Sequence, residues 1–110
     1  MTTDELLRRL VESCQASPLV SSYAISESDE DILSVRVFLS DGSFVNAFHN
    51  AATGKTAFAW ISKGKRLYGK DNAKRGWHLH PFDSPDNHQP CDEVAFETFL
   101  HEIETLRQTK

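Results

Sequence analysis

The segment from Lys70 to His80 brings together the residue types that acid–base chemistry requires. It ends in His78-Leu79-His80, and a strand through these residues would place both imidazoles on one face and Leu79 on the other. Histidine exchanges protons near neutral pH, so such a pair can supply both the base and the acid for RNA cleavage. We therefore hypothesise metal-independent cleavage of RNA, with His78 and His80 as acid and base and Asp71 orienting one imidazole.

The loop before the histidines carries residues suited to an anionic substrate. The cationic ones would stabilise phosphate charge, the amide would shape the loop, and the indole would stack on an unpaired base. These candidate substrate-binding residues are Lys70, Asn72, Lys74, Arg75 and Trp77. From Gly54 to Trp77 the chain has seven cationic residues against one acidic residue, a charge of +6, while the remainder carries −10. This asymmetry favours a local surface that faces anions.

Two other interpretations of the same residues stay open. In one, the chain is a non-catalytic module that binds nucleic acid or a protein through its basic hairpin, and the histidines are structural. In the other, it binds a metal ion through His78, His80, His88 and Cys91, which lie within fourteen residues of one another. Imidazole and thiolate suit zinc, but this spacing matches no standard zinc finger. The ribonuclease hypothesis itself needs no cofactor, and it leaves His49 and His101 without a role.

The elements around this segment predict an α+β fold in a single domain, residues 1–110. Thr2-Thr3-Asp4-Glu5 has the form of a capping box, and apolar residues at helical spacing follow it, so we expect a helix over 3–15. A second amphipathic helix is expected over 92–108, with Asp92 as its N-cap.

Between the helices, short apolar runs alternate with tight turns. Leu33 to Leu39 alternates strictly, Asp41-Gly42 is a strong hairpin signal, and Lys63-Gly64-Lys65 is typical of a further turn. The pattern favours an antiparallel meander of four to five strands, with both helices packed on one of its faces. An edge strand of this meander would allow a homodimer to form.

Together these pieces resemble the TumE-type toxins, small proteins usually encoded beside a helix-turn-helix antitoxin. The residues that carry the resemblance are Tyr68-Gly69-Lys70-Asp71-Asn72, His78-Leu79-His80, and Phe96, Phe99-Leu100 and Ile103 of the closing helix. The resemblance implies inhibition of growth through RNA, held in check by the cognate antitoxin.

The sequence also bears on the compartment. No apolar run approaches the roughly 20 residues needed to cross a bilayer. The start of the chain, Met-Thr-Thr-Asp-Glu, lacks the pattern of a signal peptide. We therefore expect a cytoplasmic protein without membrane contacts, in which Cys14 and Cys91 are free thiols.

Overall fold

The first helix begins and ends where its local signals predict. Thr2 is the N-cap, and its hydroxyl accepts a hydrogen bond from the Glu5 amide at 3.1 Å. The buried stripe of the helix contains Leu6, Leu10 and Cys14, one residue per turn. The helix ends at Ala16, just before Ser17-Pro18, because proline restricts the residue that precedes it.

The protein is described by a computed structural model covering residues 2–72, 76–82, 84 and 87–108. The elements are α1 Thr3–Ala16, β1 Val20–Ser28, β2 Ile32–Leu39, β3 Phe44–Asn50, β4 Thr56–Ser62, β5 Lys65–Asp71, β6 His78–His80, β7 Gln89–Pro90 and α2 Phe96–Gln108. The strands form one antiparallel sheet in sequence order, β1 to β7. The α+β meander is therefore confirmed, but it has seven strands rather than four to five, because the short β6 and β7 extend it.

Both helices pack on one side of the sheet, as expected. We call this side the helix face and the opposite side the far face. Strictly alternating residues of β2 to β4 line the helix face, and Phe58 there lies 5.6 Å from the Phe96 ring and 5.5 Å from the Phe99 ring of α2. The other buried residues of the sheet on this face include Leu33, Val35, Val37, Val45, Ala47 and Trp60. The hydrophobic core therefore lies between the sheet and the helix pair.

The second helix starts four residues later than the sequence predicts, at Phe96, so Asp92 is not its N-cap. The Cys91 amide still donates to the Trp77 carbonyl at 3.1 Å, which holds the chain at the sheet edge. The chain is held in an extended pairing up to Cys91, so the helix can begin only beyond this hydrogen bond. Among the described residues, neither helix is long and apolar enough to span a membrane.

Candidate functional site

The predicted His-x-His strand exists and orients its side chains as alternation requires. In β6, His78 pairs with Asp71, Leu79 with Lys70, and His80 with Gly69. Leu79 packs against the core on the helix face. The imidazoles of His78 and His80 therefore both lie on the far face, together with Asp71.

Asp71 contacts one of these imidazoles, in the arrangement that the hypothesis expects of an orienting carboxylate. Its Oδ2 atom lies 3.0 Å from His80 Nε2. The two side chains are 21% and 5% exposed, respectively. The contact fixes the His80 ring, but its burial leaves little of that ring accessible to a substrate.

A third imidazole joins the site through β7. The pairing of β7 with β6 brings the His88 ring to 4.5 Å from the His80 ring and 6.3 Å from the His78 ring, measured between centroids. His88 is exposed and His78 is half-buried, so these two rings are the more accessible members. The sequence placed His88 only in the metal-binding alternative, because its position depends on a strand pairing that no local pattern shows.

Lys70 and Trp77 do not lie beside the imidazoles. Lys70 points to the helix face, where its Nζ atom is 2.7 Å from Glu102 Oε2 of α2 and its side chain is 12% exposed. The Trp77 ring lies against Phe58, with centroids 6.4 Å apart. The structure therefore does not bring these two predicted substrate-binding residues to the histidine site: each neighbours a far-face residue in sequence, so strand alternation turns it the other way.

The remaining predicted substrate-binding residues have separate outcomes. The Asn72 side chain bridges β4 and the turn before it, accepting from the Thr56 amide at 2.6 Å and donating to the Gly54 carbonyl at 2.9 Å. These two hydrogen bonds tie the start of the loop to the turn before β4. Lys74 and Arg75 lie outside the described residues.

Arg66 is a further cation near the site, and it lies beside Gly69. A methyl group added at Gly69 would lie 3.4 Å from Arg66 Cδ and 3.1 Å from the Phe58 carbonyl oxygen. Gly69 is paired with His80, so the missing side chain leaves room for Arg66 on the far face next to that histidine. No sequence signal marks this neighbour, since a bulge in the pairing of β4 with β5 sets its position.

The four residues of the metal-binding alternative are not brought together. Cys91 lies on the helix face near Lys70 and Glu102, whereas His78, His80 and His88 lie on the far face. Burial raises the pKa of the Cys91 thiol, and the Glu102, Asp92 and Asp71 carboxylates act in the same direction, which outweighs the opposing effect of Lys70. Within the part of the chain that the structure describes, no three His, Cys, Asp or Glu side chains are arranged to hold a metal ion.

No protein-family model, curated protein or solved structure matches this chain. The resemblance to TumE-type toxins therefore remains a prediction that depends on the residues quoted for it.

Proposed function

We propose that this chain is a toxin-like ribonuclease that cleaves RNA without a metal ion at the far-face imidazole cluster, defined by His78, His80 and His88. The observation that carries the proposal is the contact of these three rings, one of which is held by Asp71 at 3.0 Å. Clustered imidazoles can supply a base and an acid on the two sides of one phosphodiester.

Accessibility decides the roles within the cluster. His78 and His88 are the more exposed rings, and their centroids are 6.3 Å apart, which leaves space for a phosphate to contact both. We assign proton transfer to this pair. His80 is buried between Asp71 and His88, so it is a positioning residue that holds the His88 ring.

The reaction follows from these roles. One imidazole takes the proton of the 2′-hydroxyl, and that oxygen forms a bond to phosphorus as the bond to the 5′-oxygen breaks. The other imidazole gives its proton to the departing 5′-oxygen, leaving a 2′,3′-cyclic phosphate and a 5′-hydroxyl. Arg66, on the same face, adds positive charge where the phosphorane gathers negative charge.

The test is cleavage of a labelled RNA by purified protein in EDTA. We expect His78→Gln and His88→Gln each to lower the rate by about 100-fold or more, because each removes a proton-transfer group. His101→Gln is the matched control, since His101 lies on α2 with its side chain 68% exposed and should leave the rate unchanged. An inert wild-type protein, or cleavage that survives the double variant His78→Gln/His88→Gln, would show that the proposal is wrong.

The biological setting is also a proposal. We place the chain in the cytoplasm, beside a helix-turn-helix antitoxin whose acidic surface meets the exposed basic turn of Lys63, Lys65 and Arg66. Expression of the chain alone should stop growth, and co-expression of the product of an adjacent helix-turn-helix gene should restore it. Normal growth with the chain alone would count against this setting.

One observation favours a second function, non-catalytic binding of RNA. The basic turn is exposed, whereas His80 is largely shielded from solvent. Binding through three cationic side chains should weaken with salt, with a logarithmic slope of about −2 for a single strand. RNA binding with this slope but without cleavage would favour the binding module over the ribonuclease.

A further inference from the structure

A cavity on the helix face lies apart from the imidazole cluster. Its volume is about 880 Å³, and it opens between α1, the ends of β3 to β5 and the segment that leads into α2. This is within the size range of pockets that bind small molecules. The sheet separates the cavity from His78 and His88, so a ligand in the cavity would not contact the imidazole cluster.

His49 lines this cavity and has one unpartnered nitrogen. The residue is 7% exposed, and its Nδ1 atom lies 2.8 Å from the Thr56 hydroxyl oxygen. The distal nitrogen, Nε2, is buried and has no hydrogen-bond partner among the described residues. Buried polar atoms are rarely left unpaired, because losing water without gaining a partner is costly. Because His49 lines the cavity, a ligand that enters and exposes this atom would supply the missing partner.

The contacts of Thr56 bear on which kind of partner His49 requires. The Thr56 hydroxyl lies 3.4 Å from the Gly54 carbonyl oxygen and 2.8 Å from His49 Nδ1. We take the arrangement in which the hydroxyl donates to Gly54 and accepts from His49 Nδ1–H. In the neutral imidazole the proton on Nδ1 leaves Nε2 as an acceptor. A ligand must then present an N–H or O–H donor to His49.

The rest of the lining narrows the ligand class further. The lining includes three aromatic side chains, Phe58, Trp77 and Phe96, of which Trp77 is the most exposed, and they favour a flat aromatic body. The charged residues of the lining are Arg9, Glu12, Glu93 and Glu97, an excess of carboxylates that favours positive charge.

We propose that the cavity binds a small aromatic cation, which packs against Trp77 and Phe58 and donates a hydrogen bond to His49 Nε2. Trp77, which the sequence assigned to RNA stacking, has its aromatic partner here instead.

Benzamidine and benzoate form a matched pair of probes. They share size and shape, but benzamidine is a cation with N–H donors, and benzoate is an anion with acceptors only. In NMR titrations of the full chain we expect benzamidine to saturate with a Kd of about 1 mM or tighter, shifting the Trp77 indole and His49 ring signals. Benzoate should not bind. Equal binding of the two probes, or no saturable shift with benzamidine, would overturn the proposal.

The His49→Phe variant tests the assigned hydrogen bond, since it keeps a ring and removes the acceptor. We expect it to weaken benzamidine binding by about 10-fold, as the loss of one buried hydrogen bond would do. His101→Phe is the matched control and should bind as the wild type does. Unchanged affinity in His49→Phe would contradict the assignment.

If His49→Phe does not fold, long-range ¹H–¹⁵N spectra of the wild type decide the matter. Nε2 should be unprotonated without benzamidine and should shift as the probe saturates. A protonated Nε2 in the free protein, or an Nε2 signal that benzamidine leaves unmoved, would refute the proposed contact.

Discussion

Cys14 lies on the buried stripe of α1 and is 6% exposed. Burial raises the pKa of its thiol from the ordinary 9.0 to about 11, because the thiolate would lose its hydration there. Below pH 9 the thiol is protonated in both the folded and the unfolded chain, so it does not make stability depend on pH. Between pH 9 and 11 only the unfolded chain releases the proton, and the free energy of unfolding must fall.

This difference predicts how a single substitution changes the pH profile of stability. Between pH 8 and pH 10.5 the free energy of unfolding should fall by about 2 kcal/mol more in the wild type than in the Cys14→Ala variant. Urea unfolding at the two pH values measures the free energy of unfolding of each protein. The change with pH is taken within each protein, so the constant cost of the cavity that the substitution creates cancels. Parallel pH profiles for the two proteins would contradict the prediction.

The sequence also predicted the direction of individual side chains where strand alternation applies. His78, His80 and Leu79 point where a period of two residues requires, and the Asp71 carboxylate meets one imidazole. The same rule applied to Lys70 places it on the opposite face from Asp71, where Glu102 of α2 binds it. Charge and proximity in sequence suggested a phosphate ligand, but neither indicates which face of a strand a side chain occupies.

At the scale of elements, the turn between β4 and β5 contains a strained residue. Ser62 pairs with Lys65, so the loop consists of Lys63 and Gly64, whose φ angles are 53° and 77°. Positive φ at both central positions is the type I′ turn, which matches the twist of a hairpin. Glycine adopts this conformation without strain, but lysine at the first position does so at a cost.

Asparagine in place of Lys63 should relieve part of this cost. We expect Lys63→Asn to raise the free energy of unfolding by roughly 0.5 kcal/mol, since Asn-Gly is the favoured pair for this turn. Lys65→Asn removes the same charge from an extended position, so it should give no gain. Chemical denaturation of the two variants beside the wild type gives the comparison, and equal effects at both positions would show that charge, not backbone conformation, is responsible.

The elements were predictable to the extent that their signals are local. The capping box, the helical stripe of α1 and the tight turns identify most of the meander. The alternation of His78, Leu79 and His80 indicated β6, but the two residues of β7 are too few for a periodic pattern, and β7 forms because it pairs with β6. His88 reaches the cluster, and α2 starts late, for this non-local reason. In the same way, His49 lies beside Thr56 only because β3 pairs with β4.

At the scale of the whole molecule, the sheet separates the imidazole cluster from the cavity, and β1 forms one of its edges, which no described strand pairs with on the outer side. The edge strand β1 spans nine residues, Val20–Ser28, and contains no lysine, arginine or proline to block pairing. Tyr23 and Ile25 on this strand are 39% and 47% exposed. A long, nearly uncharged edge with apolar side chains favours strand pairing with another chain, and we predict that two copies pair through β1 into a continuous sheet.

The variant Ile25→Lys tests this pairing. A lysine on each of two facing strands brings like charges together and removes apolar contact, so it should shift the dimer to monomer. Thr98→Lys makes the same change in charge at an exposed position of α2 and should leave the dimer intact. Sedimentation velocity over a wide range of protein concentrations measures the association of all three proteins. A wild type that stays monomeric at every concentration would rule out the pairing, and an Ile25→Lys protein that dimerises as the wild type does would place the interface elsewhere.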